Sequence, residues 1–153
     1  MSRAAERLAA LGLSLPEVPT PAAAYQPYAL AEDLVLTAGQ LPVRDGVLAV
    51  TGRLGAELTT AEGAAEAAVA ALNVLAVGAA ALGSLDAVRV IKLTVFVAST
   101  PAFAEHHLVA NGASELLGEV LGDAGVHARS AVGVAALPLG APVEVEAILG
   151  RAG

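Results

Sequence analysis

The chain has 153 residues, enough for one domain with a sizeable core and short for two, so a single domain over residues 1–153 is expected. Its formal charge is −7, with one Lys, seven Arg and no basic patch interleaved with aromatics, which counts against binding a phosphate backbone. There is no cysteine, which removes disulfides, thiolate metal sites and cysteine nucleophiles together.

Residues 1–24 read as an N-terminal extension. Ser2 can cap a short helix from 3 to about 11, with Leu8 and Leu11 on one apolar edge and Gly12 as its stop. The segment from Leu8 to Leu15, followed by Ala22-Ala23-Ala24, faintly imitates a signal peptide, but Glu6 and Glu17 flank a very short apolar stretch, and a cytoplasmic protein is expected. Pro16, Pro19 and Pro21 hold the connector extended. Two short strands follow at 25–31 and 34–38, joined at Glu32-Asp33, and Tyr25 and Tyr28 either line a pocket or fill the core. Arg44-Asp45-Gly46 signals a hairpin leading into 47–50. Residues 51–58 form a loop whose Gly52 and Gly55 lack the spacing and the Lys of a phosphate loop.

Thr59-Thr60-Ala61-Glu62 is a capping box that opens a long helix, with Ala65, Val69, Leu72, Ala76 and Ala79 on one stripe up to Gly83. Its run 67–85 has nearly the length of a membrane span. It is mostly Ala, contains Asn73 and lacks a basic flank, so it reads as a buried helix. Glu62 and Glu66 are spaced i, i+4 with no His beside them, which suggests a solvated face rather than a metal pair. Residues 88–97 form a strand whose odd positions Ile91, Leu93, Val95 and Val97 are apolar. Thr100-Pro101 reads as cap and first helical residue of a turn leading to a second helix near 111–121, ended by Gly122. The adjacent His106 and His107 point about 100° apart on a helix, so they cannot chelate one ion and are expected at the surface.

Between Asp123 and Glu144 the only fixed charge is Arg129. A guanidinium among Ala, Val and Gly must find an anion or stay wet, because burying it unpaired costs about several kcal/mol. Two strands fit here, 129–137 and 143–149, as a hairpin around Leu139-Gly140. Alternation then puts Ser130, Val132, Val143 and Val145 on a core face, and Arg129, Ala131, Gly133, Glu144 and Glu146 on the other. In that register Arg129 and Glu144 are about six residues, or roughly 20 Å, apart. They cannot make one site within one subunit, and a neighbouring copy could join them. His127, two residues before Arg129, is read by default as a loop histidine, with a place near that site as the alternative.

Strands, helix, strand, helix and paired strands suggest an α+β domain, a mixed sheet with two helices on one face and the other uncovered. Hydrophobic residues make up 56% before Gly is counted, against roughly 45–50% with Gly in typical soluble proteins, so a homo-oligomer is expected.

T-A-G-Q-L-P at 37–42, K-L-T-V-F-V at 92–97, A-R-S-A-V at 128–132 and P-V-E-V-E-A-I at 142–148 resemble the reactive intermediate deaminase family, also called the Rid or YjgF family. They come in the family's order and near its spacing, and the resemblance covers about residues 25–149. The N-terminal helix and the 50–58 loop are more similar to a longer subgroup. The resemblance implies a chorismate-mutase-like fold and a homotrimer with three clefts between subunits. It also implies hydrolysis of enamines and imines, such as 2-aminoacrylate, to 2-keto acids and ammonia without metal or organic cofactor. Carried over by position, Arg129 matches the arginine that grips the substrate carboxylate, and Glu144 the glutamate that holds the attacking water. Tyr28 matches a cleft tyrosine, Gly39 the loop glycine near the ligand, and Ala131 offers a backbone N–H. The chain departs from the pattern at Ala131, where the well-studied branch has Cys, and at Ala38, where it often has Ser. Neither side chain can be a nucleophile, though imine hydrolysis needs only a positioned water and a proton donor. Three functions follow as alternatives: an imine and enamine hydrolase, a non-catalytic binder of 2-keto acids, and a ribonuclease or translation inhibitor, which the charge disfavours. Membrane partners are not expected.

Overall fold

The computed structural model describes residues 3–21 and 23–153, so the expected Ser2 cap lies outside the described residues. Helix α1 spans Arg3–Ala10, strands β1 and β2 span Tyr28–Ala31 and Leu34–Thr37, and helix α2 spans Thr60–Leu82. Strand β3 is Val88–Ala98, helix α3 is His106–Leu121, and strands β4 and β5 are Ala128–Val134 and Val143–Arg151. The five strands form one mixed sheet in the order β1-β2-β5-β3-β4, with β3 and β4 parallel and the other neighbours antiparallel. Helices α2 and α3 pack together over one face, and α1 leans on α3.

Helix α2 begins as the capping box predicts: the Thr59 hydroxyl accepts from the Glu62 N–H while the Glu62 carboxylate accepts from the Thr59 N–H. Gly83 ends it in the left-handed region. The expected stripe is displaced, since Ala65 is exposed and the buried face carries Ala67, Ala70, Ala71, Val74, Leu75 and Gly78. A helix apolar on nearly every side has no stripe of its own, and the sheet below and α3 beside it decide which residues are covered. The backbones of α2 and α3 touch at Gly112, where any Cβ would overlap the Ala64 carbonyl. Though α2 is long and apolar enough to cross a membrane, 56% of its most apolar window is buried within this domain, consistent with a core helix.

The hairpin expected between 129–137 and 143–149 does not form. Helix α3 links β3 to β4 as a crossover, so β4 joins β3 in parallel, while β5 pairs with the other edge of β3. The longest apolar strand is thereby an interior one, bonded along both edges, with β5 at the centre of the sheet. The change of partner also changes the faces. Arg129 lies in line with Leu93 and Ala147 on the helix side, whereas Ser130 lies in line with Thr94 and Glu146 on the open side. Alternation had sorted each strand correctly, but the phase between them belongs to β3.

Three smaller differences have local causes. A bulge between Val90 and Lys92 inserts Ile91 as an extra residue, so Ile91 is 41% exposed while Val88, Val90, Leu93, Val95 and Val97 are buried. Helix α3 starts at His106, and Thr100-Pro101 forms a separate turn closed by the Phe103 N–H on the Thr100 carbonyl. Beyond Arg44-Asp45-Gly46 the hairpin is one bridge, Arg44 to Val47, with Asp45 and Gly46 both at positive φ. In α1 the buried residues are Ala4 and Leu8, and Leu11 is exposed. Loop 51–58 is anchored by Leu54, which is fully buried and bonded to Ala98 and Thr100 through its backbone. Covering a leucine side chain is worth about 1.5–3 kcal/mol, enough to hold the loop against β3.

Glu66 is not on a solvated face. It is 4% exposed and takes both Nη atoms of Arg44, at 3.0 and 2.9 Å. A buried carboxylate needs such a fork, and Arg44 is the cation its own hairpin turn presents.

Candidate functional site

Two clusters of polar side chains lie toward opposite ends of the sheet. The first gathers around Glu144 on the open face. Gln40 and Val145 exchange backbone hydrogen bonds of 2.7 and 2.9 Å, which fastens the loop after β2 to β5. The Thr37 hydroxyl accepts from the Ala147 N–H at 3.0 Å and locks the same junction. Gly39 is thereby laid against the Glu144 side chain, and a Cβ on Gly39 would overlap the carboxylate. The surrounding pocket has a volume of about 600 Å³, and its wall includes Tyr25, Tyr28, Ala38, Gly39, Pro138 and Glu144. Both tyrosines line it, and Tyr28 also packs on the core.

Glu144 is half-buried, and no hydrogen bond reaches its carboxylate among the described residues. Burial lifts its carboxyl above the ordinary glutamate range, and the negative charge of Glu146 adds to the lift. Such a group suits a base acting on a bound water: it is accessible and free of competing donors, and it accepts a proton more readily than a surface glutamate.

The second cluster surrounds Arg129 on the helix side of the edge strand β4. Arg129 Nη1 donates to Asn111 Oδ1 at 2.9 Å and to Ser114 Oγ at 3.1 Å, and Nη2 donates to the His107 carbonyl at 3.1 Å. Three of the five guanidinium N–H groups are thus spent on α3. The Nε–H and one Nη2–H remain, which leaves donors for a further acceptor. Behind this cradle His127 Nδ1 meets the Gly125 carbonyl at 2.6 Å, and its Nε2 meets Ser114 Oγ at 2.9 Å. A carbonyl only accepts, so Nδ1 carries the proton. In the neutral ring Nε2 then accepts from Ser114, whose lone pairs stay available to Arg129. Ala131 lies two residues along, on the same side as Arg129 and partly buried against the core.

Tyr28, Gly39 and Glu144 therefore come together in one pocket, while Arg129 and Ala131 stand apart from them, on the other side of the sheet and toward its far edge. Separation within one chain was expected from the hairpin and arises instead from the strand order. Sequence reasoning does not single out Asn111 or Ser114, and gives Asn73 no hydrogen-bonding role. An Asn and a Ser at i, i+3 on the helix before A-R-S was the available signal for the first two. His106 is half-buried rather than at the surface, with Nε2 3.0 Å from Ser99 Oγ and its ring edge-on to Phe103 at 5.1 Å, whereas His107 is exposed. Among the described residues no three His, Asp or Glu side chains are placed to hold a metal ion.

The chain belongs to the family described as "YjgF/chorismate mutase-like, putative endoribonuclease", whose model matches residues 5–147. It is similar to Protein TCP17 of Trypanosoma cruzi, 50% identical over 149 residues, which span 96% of this chain and 93% of that one. A solved structure from Shewanella oneidensis with the same endoribonuclease description is 33% identical with a TM-score of 0.94, covering 97% of this chain and 99% of that one. The Escherichia coli protein TdcF, solved with bound serine, is 25% identical with a TM-score of 0.65, covering 89% and 94%. The fold is thus the chorismate-mutase-like one of the Rid/YjgF proteins.

Proposed function

We propose that this protein hydrolyses small carboxylate-bearing imines and their enamine tautomers to 2-keto acids and ammonia, in clefts shared between copies of a homotrimer. The observation that carries the proposal is Glu144: a half-buried carboxylate without a hydrogen-bond partner, lifted in pKa, pressed against a glycine and facing an open pocket. The serine held by TdcF supports a small ligand bearing a carboxylate, for which the spare Arg129 donors supply a fork. In this reading Glu144 takes a proton from water as its oxygen adds to the imine carbon. The imine nitrogen gains a proton in the same step, and the resulting carbinolamine loses ammonia as the C–N bond breaks, with Glu144 returning its proton to the leaving nitrogen and the hydroxyl giving up its own as the keto C=O forms. These steps need neither thiol nor cofactor, so Ala131 and Ala38 do not prevent them.

The same geometry supports a trimer. Leu34, Leu36, Ile91 and Val132 lie exposed on the open sheet side, and the Glu144 pocket lacks an arginine of its own. A second copy presenting its β4 edge would cover the apolar surface and bring Arg129 to the pocket. Light scattering is expected to give about three times the chain mass of 15.0 kDa, and a monomer at micromolar concentration would refute the shared cleft. We also assign the chain to a longer subgroup marked by the α1 extension.

The activity is tested by generating imines in place with an amino acid oxidase and following keto acid release. Acceleration over the uncatalysed rate is expected. If keto acids bind and no imine is accelerated, the protein is a sensor using the same cleft. The endoribonuclease in the family description is disfavoured by the charge of −7 and the scarcity of aromatics.

A further inference from the structure

Beside the Glu144 pocket lies a second cavity, of about 700 Å³, between the proline-rich connector and the loop after β2. The two share Tyr25 and Gly39, so they adjoin at the glycine that abuts Glu144. Leu15, Pro16, Val18 and Pro19 form the outer wall, and Leu41 and Val43 part of the inner one. The two carboxylates on the lining, Glu17 and Asp45, are both exposed, and no cation lines the cavity.

The lining also includes Asn73, a polar residue on the apolar helix α2 that is 1% exposed. Its Nδ2 donates to the carbonyls of Leu41 and Val43, both at 3.0 Å, which fixes the amide orientation. No donor meets Oδ1 among the described residues, yet that oxygen is not sealed from solvent. It is therefore a buried acceptor with an open lone pair on a cavity wall, where a ligand that brings a donor gains and one that brings only carbon leaves it unpaired.

We infer that this cavity is the side-chain subsite of the enzyme, resting on the imine-hydrolase reading of Glu144, and that it selects long substrates with an apolar stem and a neutral hydrogen-bond donor at the tip. A 4-hydroxyphenyl group has that form. An anionic tip is disfavoured, because the cavity offers two carboxylates and no cation. The connector, absent from any role in the chemistry, thereby sets substrate length.

The test compares imines made in place from alanine, phenylalanine, tyrosine and glutamate. For the wild type, kcat/KM for the tyrosine-derived imine is expected about fivefold above that for phenylalanine, the worth of one neutral hydrogen bond, and at least about tenfold above that for glutamate. Val18→Trp, which projects a bulky ring into the cavity from the connector, is expected to lower the tyrosine-derived rate about tenfold or more and the alanine-derived rate far less, with circular dichroism reporting intact folding. Thr20→Trp, at an exposed position on the same wall, is expected to act alike. Equal loss on alanine and tyrosine in both variants, loss on neither, or a glutamate rate matching the tyrosine rate would overturn the subsite. If the wild type hydrolyses no imine, the catalytic reading fails on its own and the cavity is judged by calorimetry. Tighter binding of 4-hydroxyphenylpyruvate than of phenylpyruvate, abolished by Val18→Trp, supports it, and absence of such binding overturns it.

Discussion

Glu144→Gln is expected to lower turnover on every imine by roughly 10²-fold or more while leaving keto acid affinity within a few fold. Glutamine keeps the shape that fits against Gly39 but cannot take a proton from water. The wild-type pH profile should carry the same signature. A base works deprotonated, so the rate rises as Glu144 loses its proton, and the limb lies above the ordinary glutamate range because burial and Glu146 hold the proton on. Glu146→Gln removes the second of those causes and is expected to move the limb toward lower pH. Stability should run the other way. The native carboxyl binds its proton more tightly than the unfolded one, so between the two pKa values the native state carries more protons. Its contribution to stability is present at low pH and is lost as pH rises through the native value. At neutral pH Glu144→Gln is therefore expected to melt no lower than wild type. A variant that loses activity and melts well below wild type would mark Glu144 as structural, and a full-rate variant would remove it from the chemistry.

How far the sequence could be read depended on whether the information was local. The capping box at Thr59 and Glu62, the stop at Gly83 and the apolar alternation of β3 from Leu93 to Val97 are written within a few residues, and the structure matches them. The signature segments carried the family and hence the fold. What escaped was set by distant partners. Two adjacent β-like segments with Leu139-Gly140 between them satisfy every rule for a hairpin, and only the demand of β3 for a neighbour on each edge separates them. Glu66 reads as a surface carboxylate until Arg44, 22 residues away, closes over it. Ile91 follows the apolar pattern and is turned out by a bulge that pairing with β5 imposes. The candidate site shows the same division. Position in a motif nominated Arg129, but its cradle of Asn111, Ser114 and the His107 carbonyl belongs to a helix whose first turn the sequence hid behind Thr100-Pro101.

That cradle sharpens the expectation for Arg129→Lys. A guanidinium can satisfy three acceptors on α3 and still offer two N–H groups to a carboxylate. An ammonium has three donors and no plane, so it must abandon part of the cradle or part of the ligand. The carboxylate is held in ground and transition states alike, so the loss should fall mainly on binding. A loss on the order of 1.5–3 kcal/mol is expected in keto acid affinity, the worth of a charged hydrogen bond, with a smaller effect on turnover at saturation. Asn111→Ala leaves the charge and frees one Nη1 donor, so it should weaken binding less than Arg129→Lys does. Calorimetry with pyruvate on both variants, with light scattering on the same samples, separates the possibilities. If Arg129→Lys dissociates the assembly while the wild type shows no affinity for any keto acid, Arg129 is a tie between β4 and its neighbours, and the carboxylate site must be sought elsewhere.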